Sequence, residues 1–137
     1  MRKQIFVDTV FVVALVNCRD QYHHQAADLA KQYEHHPLIV TDAVLIEIGN
    51  ALSRQYRKES VRIIEHFFNS DEVEIVHLTP DLLNHAFCLY KFYEDKTWSL
   101  VDCISFVVMR EAGITQAFTF DQHFVQAGFQ ALMRGIF

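Results

Sequence analysis

Four carboxylates stand where chemistry can be done: Asp8 in "IFVDT", Glu47 in "TDAVLIEIGNAL", Asp102 in "WSLVDC" and Asp121 in "AFTFDQHF". Asp8 is the most telling. Its neighbours Phe6, Val7, Val10 and Phe11 are apolar, and a charge among them costs roughly several kcal/mol unless a partner, a cation or water receives it. Carboxylates gathered in one crevice repel and desolvate one another, and a hard divalent cation with oxygen ligands removes that conflict. Each acid also has a structural reading. Ser99-Leu100-Val101-Asp102 has capping-box spacing, and Asp121 can cap or turn the chain ahead of His123 and Phe124. Asp8 or Thr9 can cap a helix starting near Val10, and Glu47 suits a wet helix face. Capping accounts for the positions singly, but not for an acid at every junction.

Bringing these acids together requires a particular arrangement of elements. Short β-rich runs at 4–8, 38–41, 74–78 and 117–119 alternate with helical patterns at 21–35, 42–56, 61–69, 80–93 and 100–112. Thr79-Pro80 marks a helix start and Gly113 a stop. Strand–helix alternation predicts an α/β domain with a parallel sheet covered on both faces and joined by right-handed crossovers. In such sheets ligands bind at the carboxyl ends of the strands, the edge to which all four acids belong.

The chain has 137 residues, 51% of them hydrophobic and 12 of them Phe, enough for one domain with a real core and too apolar for disorder. The basic start, Met1-Arg2-Lys3, and the apolar run behind it resemble a secretory leader, but Asp8 interrupts the run. No apolar run reaches the roughly 18 residues of a membrane span, and Cys18, Cys88 and Cys103 form no CxxC pair, which suits a reducing, cytoplasmic setting. A net charge of −5 excludes nucleic-acid binding by bulk charge, so a polyanionic substrate needs a metal ion or a local basic stripe. Arg54 and Lys58, seven and eleven residues beyond Glu47 on the same helix, return to nearly its face, with Asn50 and Arg57 beside them. A solvated polar face is the competing reading.

Other signals are weaker. The eight histidines include two adjacent pairs but none at i, i+4, and they read as surface residues. Cys103 lies in the apolar run "CISFVVM" and reads as a small buried residue. A phosphatase with an Asp nucleophile would need a second acid two residues after Asp8, where Val10 stands.

Taken together, "IFVDT", "TDAVLIEIGNAL", "WSLVDCISFVVMREAGI" and "AFTFDQHF" resemble the PIN-domain family, and within it the VapC-like toxin ribonucleases, over nearly the whole chain. The resemblance implies a single PIN-like α/β/α domain over 1–137. It also implies an endoribonuclease dependent on Mg²⁺ or Mn²⁺, one or two ions held by Asp8, Glu47, Asp102 and Asp121. A homodimer and a small antitoxin that blocks the site are implied as partners beside the RNA substrate. Asn50, Arg54 and Lys58 are the expected RNA contacts, and the hydroxyls of Ser99 and Thr9 the expected support of the acids. Val10 departs from the pattern, because such proteins commonly carry Ser, Asn or Gly there. The alternative is a PIN-fold RNA-binding or dimerisation module with little catalysis.

Overall fold

The computed structural model describes residues 3–134, so Met1 and Arg2 of the leader-like start lie outside it. Five strands, β1 (Ile5–Val7), β2 (Leu38–Thr41), β3 (Val73–Val76), β4 (Gln116–Phe118) and β5 (Gln130–Ala131), form one sheet in the order β3-β2-β1-β4-β5. Every pairing is parallel, with Phe6 opposite Ile39 on one side and Ala117 on the other.

Helices α1 (Thr9–Val16) and α2 (His23–Gln32) link β1 to β2, and α3 (Asp42–Leu52) and α4 (Arg57–Asn69) link β2 to β3. The chain then crosses back through α5 (Pro80–Phe92) and α6 (Leu100–Ala112) to β4, and α7 (Gln122–Gln126) leads to β5. Right-handed crossovers put α1–α4 on one face and α5–α7 on the other, giving three α/β/α layers. The packing agrees: α1 lies against α2 and α3, α3 against α4, and α6 against α5 and α7.

The sheet is clamped by aromatic residues on both sides. Phe11 of α1 stacks on Phe118 of β4 at 4.4 Å between centroids. Across the sheet, Phe106 of α6 meets Phe124 and Trp98 edge-on, each at 5.0 Å, and Phe124 reaches Phe6 at 6.2 Å. Residues 103–109 of α6 are buried without interruption, so this helix runs through the core rather than along its surface.

Local signals set several ends. Thr79 Oγ1 accepts from the Leu82 N–H ahead of α5, and Gly113 closes α6 at φ 67°. The third strand is shorter than its apolar run because the Leu78 N–H leaves the ladder and donates to the Asp42 carboxylate at 3.0 Å. The second helix ends early, with His35 left-handed at φ 64°.

One expectation fails. Residues 42–56 do not form one helix: α3 stops at Leu52, Arg54 lies in the turn, and Lys58 belongs to α4. The Ser53 hydroxyl donates back to the Asn50 carbonyl, and Tyr56 adopts φ −129°, ψ 36° while its hydroxyl donates to Asn17 Oδ1 at 3.0 Å. That reorientation lets α4 turn Ser60 and Phe67 inward. Arg54 and Lys58 are both exposed, but they share no helix face with Glu47, and the basic stripe does not exist in the form its spacing suggested.

Candidate active site

The strand order changes direction at β1: the chain builds outward to β2 and β3, then returns to place β4 on the other side of β1. A crevice opens at the carboxyl ends of two strands where their connections diverge, which is where open parallel sheets take their ligands. Asp8 follows β1 directly, with its N–H donating to the Phe118 carbonyl of β4 at 3.3 Å. Thr119 and Asp121 follow β4, and Ser99 and Asp102 start α6.

Asp8 is only 6% exposed. It occupies the N-cap position of α1, yet its side chain makes no capping bond. Instead Oδ2 accepts from the buried Thr119 hydroxyl at 2.8 Å. Burial pushes its carboxyl up to about 7, the Thr119 bond opposing the shift and the negative charges of Asp102 and Asp121 adding to it. Acids from opposite ends of the chain, Asp8 on one side and Asp102 and Asp121 on the other, therefore act on one another through space.

Thr119 is the hinge of this corner. Its hydroxyl donates to Asp8 while its oxygen accepts from the Asp121 N–H at 3.0 Å, so one side chain ties both acids. Thr119→Val keeps the shape and strands one buried partner, Asp8, and one half-buried partner, the Asp121 N–H. We expect it to lower unfolding stability by about 1–3 kcal/mol, read from urea denaturation. An unchanged midpoint would mean that water replaces the hydroxyl.

Asp102 and Asp121 do cap their helices. Ser99 and Asp102 form the reciprocal capping box, both bonds 3.0 Å, and Asp121 Oδ1 accepts from the His123 N–H at 2.9 Å. The caps do not use up the carboxylates, because His123 Nδ1 also lies 3.0 Å from Asp102 Oδ2 and 3.4 Å from Asp121 Oδ1. Among the described residues, Asp102, Asp121 and His123 are the group whose ligand atoms lie mutually within 4.8 Å, with Asp8 and Glu47 outside it. Glu47 joins the corner through Thr9, whose hydroxyl donates to Oε1 at 2.7 Å. Thr9 follows Asp8 in the chain, so this one bond couples α3 to the end of β1.

His123 corrects the reading of the histidines as surface residues: its side chain is 22% exposed and wedged between two acids. The signal was local, an acid two residues before a histidine at a strand end, but its weight came from Asp102, 21 residues away. Cys103, by contrast, is fully buried, and burial with the neighbouring Asp102 charge pushes its thiol up to about 11, which leaves it inert.

The donor set fits a divalent ion. It offers carboxylate oxygens and one imidazole, and neither Lys nor Arg pairs with Asp8, Asp102 or Asp121 among the described residues.

A five-stranded parallel sheet with this acidic corner at its switch point defines a PIN domain: the PIN domain profile matches residues 5–130, and the chain belongs to that family. It is similar over 126 residues, at 35% identity, to the 23S rRNA-specific endonuclease VapC20 of Mycobacterium tuberculosis strains H37Rv and CDC 1551, covering 91% of this chain and 95% of that protein. The crystal structure of Mycobacterium tuberculosis VapC20, a sarcin–ricin loop cleaving toxin, matches with a TM-score of 0.83 at 32% identity over 92% of this chain and 96% of that one. Among the described residues no helix is long and apolar enough to cross a membrane.

Proposed function

We propose that this protein is a metal-dependent endoribonuclease, the toxin of a toxin–antitoxin pair, hydrolysing RNA phosphodiester bonds at the crevice between β1 and β4. The observation that carries the reading is Asp8, a carboxylate buried among apolar residues and further burdened by Asp102 and Asp121. A protein that did no chemistry there would gain stability by replacing it. Asp8, Asp102, Asp121 and Glu47 hold Mg²⁺ or Mn²⁺, as one or two ions. Once bound, the metal supplies an activated water and neutralises charge on the phosphate.

The chain's own residues position the rest. Thr119 fixes the rotamer of Asp8, Thr9 that of Glu47, and Ser99 that of Asp102. The N-terminus of the thirteen-residue α6 faces the same corner and favours the phosphate. Asn50 is exposed one turn beyond Glu47 on α3, and in this reading it meets the RNA. The similarity to VapC20 supports the toxin reading and, with it, a small antitoxin as the protein partner; a homodimer is the working form expected from the family resemblance. It also makes ribosomal RNA the substrate to try first.

The test is cleavage of total RNA and of isolated 23S rRNA with Mg²⁺, with Mn²⁺ and with EDTA, beside Asp102→Asn, which keeps an oxygen able to accept from Ser99. Discrete fragments that require the ion and vanish in the variant are expected. Intact RNA under both ions, with a folded and metal-bound protein, would instead favour a binding module.

A further inference from the structure

We propose that His123 Nδ1 is a nitrogen donor to the bound cation, oriented by Thr97, and that it makes the site favour a first-row transition ion over Mg²⁺. This rests on the metal-dependent reading above and assigns a residue that the four acids leave out. Nδ1 faces two carboxylate oxygens at once, 3.0 Å from Asp102 Oδ2 and 3.4 Å from Asp121 Oδ1. A ring nitrogen bears at most one hydrogen, which cannot point well at both oxygens. A lone pair converging with them on one cation satisfies all three. At these separations Nδ1 and the two carboxylate oxygens are close enough to serve one cation together.

The other ring nitrogen completes the case. Nε2 lies 3.0 Å from Thr97 Oγ1, in the loop before α6. With Nε2–H donating to that hydroxyl, the lone pair sits on Nδ1, on the side of the acids; a metal-ligating histidine is usually held in this way. The backbone is equally fixed, since the His123 N–H donates to Asp121 and the next residue, Phe124, is fully buried against Phe106. Imidazole suits transition ions, whereas Mg²⁺ keeps oxygen ligands and its waters.

The experiment uses the full chain with ¹⁵N-labelled histidine, loaded with Mn²⁺ and observed by pulsed electron paramagnetic resonance, beside calorimetric titrations of Mn²⁺ and Mg²⁺. Wild type should show a directly bonded ¹⁵N coupling that disappears in His123→Asn. That variant, its fold checked by circular dichroism, should bind Mn²⁺ about tenfold more weakly and Mg²⁺ within about twofold of wild type. Bound Mn²⁺ without nitrogen coupling overturns the proposal and leaves the carboxylate site standing, and so does an equal loss for both ions. Failure of wild type to bind either ion overturns the proposal and the metal-dependent reading together.

Discussion

Asp8→Asn is expected to abolish RNA cleavage and, in EDTA at pH 8, to make the protein more stable than wild type. The two effects have one origin. At pH 8 the wild-type carboxyl is ionised, although burial and the charges of Asp102 and Asp121 have pushed it up to about 7. Asparagine has nearly the same shape, its oxygen can still accept from Thr119, and its amide can face the neighbouring carboxylates. The charge that the metal needs is gone, and so is the penalty for holding it in an apolar corner. Cleavage should fall on the order of 10³-fold, about 4 kcal/mol of barrier, while the urea midpoint in EDTA rises. This pairing separates lost chemistry from lost folding. A variant that cleaves as fast as wild type would remove Asp8 from the metal site, and one that is less stable in EDTA would mean that the carboxylate is satisfied by contacts other than a cation.

The second large effect is on the pH dependence of stability, and its sign depends on the metal. The folded protein holds the Asp8 proton up to about 7, whereas the unfolded chain releases it near 3.8. A raised acid stabilises the fold below its unfolded value, and that stability is lost as pH climbs through the folded one. Metal-free protein should therefore lose roughly 2–3 kcal/mol of Asp8-linked stability between pH 5 and pH 8, the reverse of what salt-bridged carboxylates do. The difference between wild type and Asp8→Asn in urea titrations at pH 5, 6.5 and 8 isolates this share from everything else that changes with pH. A saturating divalent ion competes with the proton, so its stabilising effect should grow as pH rises. A difference between the two proteins that stays constant with pH in EDTA would show that Asp8 ionises as an ordinary surface acid.

The readable parts of the sequence were those whose partners lie within a few residues. Ser99 and Asp102 cap one helix across three positions, Thr79-Pro80 starts another, and Gly113 takes the left-handed turn that ends α6. The alternation of apolar strands and longer helical runs implied the parallel sheet, and the sheet rule placed Asp8 and Asp121 on one edge. The departures came from distant contacts. The helical pattern beyond Leu52 is locally sound, but the chain turns at residues 53–55, Tyr56 bonds Asn17, 39 residues earlier, and the basic stripe breaks there. Neither α7 nor β5 stands out in sequence; each is short and is held by packing on α6 and β4.

By itself, then, the sequence determined the fold class, the caps of α5, α6 and α7 and the four acids as candidates, because periodicity and capping are written in neighbouring residues. Only the tertiary structure decided how those acids are used. It made Asp8 a buried charge linked through Thr119 to Asp121, and it tethered Glu47 through Thr9 rather than setting it beside the others. It also turned a histidine from an unremarkable position into the group that bridges Asp102 and Asp121. Those roles depend on burial and on distances across the crevice, which exist once β4 has paired with β1.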